Sequence, residues 1–146
     1  MGDGSVGGDG VVTVDTDAGR LDLDTVHRWL STDTYWATGR SRATVEASIA
    51  NSLNFGAYRD GVLVGYARVV TDRATFAWLC DVYVDRAHRG AGVGQTLVAA
   101  VVECLEPMGL RRTLLATADA HGVYARFEFE PLATPGSWME RRPPSG

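Results

Sequence analysis

The strongest structural signal in this chain is carried by the stretch Asp81-Val82-Tyr83-Val84-Asp85-Arg86-Ala87-His88-Arg89-Gly90-Ala91-Gly92-Val93-Gly94-Gln95. The apolar residues 76–84 predict a buried strand, and the basic, glycine-rich residues that follow predict a tight turn. Apolar residues then recur at helical spacing between positions 93 and 105. A strand, a glycine turn and a helix in this order can offer backbone N–H groups and a positive helix end to a phosphate group.

The residues before this stretch predict a strand, two helices and an antiparallel meander. Residues 11–14 are expected to form the first strand, and Asp22 or Asp24 can cap a helix after it. A second helix is expected over residues 42–53. Asp60-Gly61 is a strong hairpin signal between strands at residues 54–59 and 62–70, and the strand at 76–84 completes the meander.

The residues after the central helix predict a strand at 112–117, a short helix capped by Asp119, and two last strands around a turn at Pro135-Gly136. The order of elements is therefore β, α, α, β, β, β, α, β, α, β, β, which is typical of a mixed α/β or α+β domain. We expect one domain over residues 11–142. Residues 1–10 are expected to be a disordered tail, and residues 143–146 a frayed one.

Size and composition exclude several classes of function. The 146 residues, 45% of them hydrophobic, suit one domain with a buried core. A formal net charge of −4 argues against a general nucleic-acid-binding protein. No apolar run approaches the roughly 20 residues that span a bilayer, and residues 1–10 lack a signal peptide, so a cytoplasmic protein without membrane contact is expected. Cys80 and Cys104 belong to no CxxC or Cys/His cluster, so no metal is expected.

The glycine spacing separates two kinds of phosphate site. A dinucleotide fingerprint, GxGxxG, fails from both starting glycines, because Gln95 and Leu97 stand where the last glycine is needed. The pattern that fits is Arg89-x-x-Gly92-x-Gly94. With this turn the chain resembles the GNAT superfamily of N-acetyltransferases, whose turn holds the pyrophosphate of acetyl-CoA. The resemblance implies that the cofactor contacts come from Arg89, Gly90, Ala91, Gly92, Val93, Gly94 and Gln95.

A second match to the same superfamily lies about 25 residues downstream. Members carry a helix with a pattern like N-x-x-A-x-x-L-Y-x-x-x-G-F, and here Ala120, Tyr124 and Phe129 fill it. Thr117 stands in place of the asparagine, where the resemblance implies a contact with the cofactor. Glu128 stands in place of the glycine. A glycine at this position would allow a positive φ after the helix.

The resemblance implies a three-layer α/β/α fold around a splayed, mostly antiparallel sheet of about six to seven strands, with about four helices. The strands at 76–84 and 112–117 would diverge, and the pantetheine arm of acetyl-CoA would lie between them. Backbone groups of Val82, Tyr83 and Val84 would bind that arm. A primary amine of a small molecule or of a peptide or protein would attack the acetyl group directly, and most of the catalysis would be positioning.

Three residues are candidates for proton transfer. Tyr124 occupies the position of the family's general acid, which protonates the departing thiolate. Asp81 is an acidic residue inside an apolar strand, so it is either the general base or a structural partner for an arginine. His121 is the second candidate base, because imidazole titrates near neutrality, and its alternative is an exposed loop histidine.

In this superfamily the acceptor is usually bound by the first two helices, their loop and the last strands. The loop contains Tyr35, Trp36 and Arg40, and Trp138 lies near the predicted last strands. These residues suit a small amine with an apolar part or a carboxylate, although the tryptophans could equally be core residues. Many relatives dimerise, so a homodimer is an open expectation. The alternative function is a non-catalytic acyl-CoA sensor or partner module on the same fold.

Overall fold

A computed structural model describes residues 10–144 of the chain, and it shows a five-stranded sheet with the strand order β1-β2-β3-β4-β5. The strands are β1 (Val12–Asp15), β2 (Leu53–Arg59), β3 (Val62–Thr71), β4 (Phe76–Val84) and β5 (Arg112–Leu114). The helices are α1 (Leu23–Asp33), α2 (Arg42–Ala50), α3 (Val93–Leu105) and α4 (His121–Ala125). The predicted N-terminal tail lies outside the described residues except for Gly10, whose carbonyl accepts a hydrogen bond from Arg59 Nε.

Strands β1 to β4 form an antiparallel meander, and β5 joins it in parallel. Asp60 and Gly61, between β2 and β3, both have positive φ, 53° and 79°, as a tight hairpin turn requires. Pairing of β4 with β5 runs only from Phe76 opposite Arg112 to Trp78 opposite Leu114. Beyond Trp78 the two strands separate, which is the splay that the resemblance implies.

Helices cover the two faces of the sheet, so the layers are α, β and α. On one face α3 buries Val93, Leu97 and Val101 against the strands. On the other face α1 buries residues at i, i+3 and i+4, namely Val26, Trp29 and Leu30, as its amphipathic spacing predicts. The Asp22 carboxylate accepts the Thr25 N–H and so caps α1.

The sheet is smaller than predicted. The described residues form five strands rather than six to seven, and the segment from 115 to 144 contains no strand. The two last strands do not form: Pro135–Ser137 is a single 3₁₀ turn, and proline has no N–H to donate to a ladder. The strand predicted at 112–117 ends at Leu114, and the helix predicted to reach residue 53 ends at Ala50, because Leu53 already belongs to β2.

Candidate active site

A cavity of about 560 Å³ lies where β4 and β5 separate. One wall is the middle of β4, residues 78–82, and the opposite wall is the chain that follows β5, residues 115–120. The loop between α1 and α2 contributes a third side, and Arg68 of β3 and Tyr124 of α4 complete the lining. The splay of the sheet therefore creates an opening beside β4.

A β-bulge in β4 decides which side chains face this cavity. Pairing changes from Tyr66 opposite Tyr83 to Arg68 opposite Cys80, so β4 carries one extra residue, and Asp81 has a φ of 52°. Before the bulge Ala77 and Leu79 pack against α3, and after it Val82 and Val84 do. The extra residue thus shifts the alternation and places Asp81 on the cavity side rather than in the apolar core under α3.

Asp81 holds three donors and is 4% exposed. Its Oδ1 accepts the indole N–H of Trp36 at 2.8 Å, and its Oδ2 accepts from Arg40 NH1 at 2.8 Å and from Arg68 Nε at 2.9 Å. Burial raises the pKa of this carboxyl, but the hydrogen bonds from Arg68 and Arg40 outweigh burial, and the pKa lies below its ordinary value. Asp81 therefore stays ionised, and both of its carboxylate oxygens accept hydrogen bonds. This is the arrangement expected of a structural partner for an arginine.

The glycine turn presents unpaired backbone donors. Gly90 and Gly92 have φ of 84° and 82°, which a residue with a Cβ adopts only at a cost. Gly92 is the N-cap of α3 and supplies no side-chain cap, and its carbonyl accepts the first helical bond, from Thr96 N–H at 3.0 Å. The N–H groups at positions 93–95 consequently find no acceptor within the described residues, and they point out of the positive end of α3.

Arg89 ties this turn to the end of β4. Its Nε donates to Val84 O at 2.9 Å, and its guanidinium lies 5.1 Å from the ring centroid of Tyr83. The N–H of Asp85 donates to Val64 O on β3, so the alternation of a strand turns the backbone of Val84 toward the open edge. Val82 lines the cavity, whereas the Tyr83 side chain is buried and donates to Asp33 Oδ2 at 2.6 Å.

Tyr124 reaches the same cavity as Asp81, but His121 does not. Burial raises the pKa of Tyr124, so its phenol stays protonated at neutral pH, and its ring lies edge-on to Phe129 at 5.9 Å. No hydrogen bond to this hydroxyl is formed in the part of the chain that the structure describes. His121 is exposed at the start of α4 and lines a neighbouring cavity of about 350 Å³.

Thr117 and Glu128, the two residues that depart from the family pattern, still support the backbone conformation on either side of α4. Thr117 Oγ1 accepts the Ala120 N–H at 3.0 Å, so this hydroxyl, not Asp119, braces the chain before α4. The predicted cap by Asp119 is wrong, and its side chain lines the cavity instead. Glu128 adopts the positive φ expected of a glycine, 69°, and Phe129 N–H donates to Tyr124 O at 3.2 Å.

The predicted acceptor residues divide into two groups. Tyr35 and Trp36 are 69% and 44% exposed, touch edge-to-face at 5.0 Å and line the cavity together with Arg40. Trp138 does not line it: without the predicted last strands, its ring lies 5.1 Å from the Arg112 guanidinium. Sequence reasoning missed Arg68, although a lone charged residue in an apolar strand was the same signal that drew attention to Asp81.

Two further classes of feature are not found in the described residues. Between residues 10 and 144 no group of three or more His, Cys, Asp and Glu side chains is placed to hold a metal ion. No helix in that part of the chain has the length and apolar character needed to cross a membrane.

Comparison with known proteins gives consistent matches. The sequence profile described as the acetyltransferase (GNAT) family matches residues 23–129. A crystal structure of a candidate GNAT acetyltransferase from Xanthomonas campestris pv. campestris is 48% identical, with a TM-score of 0.87, over 92% of this chain and 94% of that one. A curated relative from Gibberella zeae, named as a candidate acetyltransferase, is 29% identical over 77% of this chain and 75% of its own length. A Mycobacterium tuberculosis protein solved in complex with CoA is 19% identical, with a TM-score of 0.69 over 84% of this chain and 75% of that one, a likeness in fold alone.

Proposed function

The chain belongs to the GNAT family of acetyltransferases, and from this premise we propose that it transfers the acetyl group of acetyl-CoA directly to a primary amine of a small molecule, peptide or protein. The observation that carries the proposal is the cavity itself. It joins the splayed edge of β4 to the Tyr124 phenol of α4. The turn with free N–H groups follows the same strand, at the start of α3.

The residues present fit acetyl-CoA at both ends. The N–H groups of Val93, Gly94 and Gln95 at the start of α3 suit a pyrophosphate, because anions are favoured at the N-terminus of a helix. The N–H of Val84, turned toward the open edge, suits an amide carbonyl of the pantetheine arm, while the Val84 carbonyl accepts from Arg89 Nε. When acetyl-CoA is bound, its thioester supplies the electrophilic acetyl group.

Direct transfer is favoured over an acyl-enzyme. Cys80 is the cysteine on the cavity wall, and burial raises the pKa of its thiol to about 11, so it is protonated and weakly nucleophilic at neutral pH. The amine nitrogen then forms the new bond to the acetyl carbon. The carbon–sulfur bond breaks with its electron pair on sulfur, and the Tyr124 hydroxyl donates its proton to that thiolate.

The proton lost by the amine needs an acceptor other than Asp81. Its three donors and lowered pKa make Asp81 a group that fixes Arg40 and Arg68 rather than a base. His121 remains the other candidate, and it would act through water, because its side chain lines the neighbouring cavity while Thr117 and Tyr124 border both cavities.

Tyr124→Phe tests the proposal. We expect kcat to fall about 100-fold while affinity for CoA stays unchanged, because the phenol acts on the departing sulfur and the ring is retained. The measurement is thiol release from acetyl-CoA over a panel of amines and peptides, with calorimetric titration of CoA. A variant with unchanged kcat across the pH range would remove Tyr124 from this role. CoA binding without thiol release from any acceptor would instead indicate a non-catalytic acyl-CoA sensor.

A further inference from the structure

We propose that the acceptor is an amino carboxylic acid with an apolar side chain, whose carboxylate is bound by Arg40 and Arg68 and whose amino group is bound by Asp119. This inference rests on the proposed function, since it names the class of amine that the same cavity takes. It follows from the charges on the cavity walls, their hydrogen-bond partners and the apolar surface beside them.

The wall around Asp81 carries an uncompensated positive charge. Two guanidinium groups, of Arg40 and Arg68, share one carboxylate, so the cluster has a net charge of +1, the sum of +2 and −1. These side chains are 21% and 15% exposed, and the whole chain has a net charge of −4. A cation held at a mostly buried wall gains from an anionic partner that enters the cavity.

Both arginines keep donors for that partner. A guanidinium has five N–H groups. Arg40 donates one of these N–H groups to Asp81. Arg68 donates its Nε–H to Asp81 and one NH1 hydrogen to Ser52 Oγ at 2.9 Å. No other side-chain acceptor for either group is found among residues 10–144. Asp81 thus holds two guanidinium groups at one carboxylate oxygen, and a guanidinium group is suited to bidentate binding of a carboxylate.

The opposite wall carries a free carboxylate. Asp119 belongs to the chain after β5, across the splay from β4, and it is exposed. It makes no salt bridge or side-chain hydrogen bond within the described residues, and the capping role that its position suggests is taken by Thr117. An ammonium group in the cavity would find its counter-charge here, next to Tyr124, the proposed proton donor.

The cavity also carries an aromatic surface on the side of the arginine wall. Trp36 and Trp78 line the cavity, and they are 44% and 36% exposed. The indole N–H of Trp36 is already bonded to Asp81, so the face of its ring is the part left to contact a ligand. An apolar side chain on the acceptor would cover both rings, which large exposed aromatic surfaces favour.

The first experiment compares acceptors that differ only in the carboxylate. The pairs are L-phenylalanine with phenethylamine and L-leucine with isoamylamine, together with L-phenylalaninamide. Thiol release from acetyl-CoA gives kcat/KM, expressed per unprotonated amine. We expect each amino acid to exceed its decarboxylated partner at least about tenfold, because the partner leaves the arginine donors unpaired.

The second experiment removes one charge at a time. Arg40→Gln should raise KM for L-phenylalanine about ten- to hundredfold and leave KM for phenethylamine within about twofold, because a charge-assisted hydrogen bond is lost only with the first. Asp119→Asn should raise KM for both acceptors. Arg28→Gln, the same change at an exposed position of α1, should alter neither. CoA titration of each variant reports whether it is folded.

The outcomes distinguish a failure of the amino acid assignment from a failure of the proposed acetyl transfer. Equal or better use of the decarboxylated amines, or a rise in KM for both acceptors in Arg40→Gln, would overturn the amino acid assignment and leave acetyl transfer standing. CoA binding with no thiol release from any of these acceptors or from a broad amine panel would contradict the proposed function itself.

Discussion

The charged wall around Asp81 lies within strand β4, the glycine turn at residues 89–95 follows that strand, and the two are built in different ways. The turn is made from consecutive residues, and it offers backbone N–H groups whose direction depends on two positive φ angles. The wall is made from side chains as far apart as 45 positions along the chain, and it depends on the balance of three charges. The turn should therefore be sensitive to an added Cβ, and the wall to the loss of one charge.

The largest effect is expected from Asp81→Asn. Removing the carboxylate leaves two guanidinium groups with a neutral partner in a mostly buried position, and breaking such a cluster costs about 3 kcal/mol of the free energy of unfolding. Chemical denaturation measures this loss. Asp119→Asn, the same substitution across the cavity, should cost under about 0.5 kcal/mol, because its exposed side chain has no partner to lose among residues 10–144. Equal losses in the two variants would contradict the structural role of Asp81.

The pH dependence of stability sharpens this prediction. The pKa of Asp81 is lower in the folded protein than its usual value of 3.8, so the unfolded chain takes up the proton first as pH falls. The carboxylate therefore contributes its full stability above about pH 4, and this contribution is lost as pH falls through the folded pKa. Thermal unfolding between pH 3 and 7 should give a shallower acid slope for Asp81→Asn than for the wild-type protein, and identical slopes would argue against the ion cluster.

A smaller effect is expected at the turn. Gly92→Ala should weaken CoA binding about tenfold, because a Cβ at a φ of 82° costs about 1 to 2 kcal/mol, and the turn can relieve that strain only by moving its N–H groups. Calorimetric titration with CoA measures the change.

Gly94→Ala is the matched control, and we expect it to have the smallest effect on CoA affinity. A Cβ at Gly94 would lie 3.7 Å from Val84 Cγ2, an ordinary contact, so affinity for CoA should stay within about twofold. Similar losses at both glycines would show that the space around the turn matters more than its torsion angles.

The same contrast explains what the sequence could predict. The turn was found because its contacts come from consecutive residues, so the spacing of Arg89, Gly92 and Gly94 is visible in the sequence. The order of helices and strands up to α3 followed from apolar periodicity for the same reason. The role of Asp81 as base or structural partner stayed open, because it depends on Arg40 and Arg68, which only the folded chain brings to it.

Two predictions from the sequence, the last strands and the cap by Asp119, are wrong because they depend on tertiary contacts. Residues 129–139 have an apolar, turn-punctuated pattern that predicts strands, yet the prolines remove donors, and a strand needs a neighbour that periodicity does not name. Asp119 has the residue type of a helix cap, but Thr117 reaches the Ala120 N–H instead. The bulge that places Asp81 on the cavity side is likewise a property of pairing with β3 and leaves no pattern in β4 alone.

The most direct test of the account is a crystal structure of the protein with CoA bound. We expect the pyrophosphate on the N–H groups of Val93 to Gln95, the pantetheine arm between β4 and the chain after β5, and the sulfur within about 3 to 3.5 Å of the Tyr124 hydroxyl. A sulfur placed outside this cavity, beside His121 or away from Tyr124, would contradict the account.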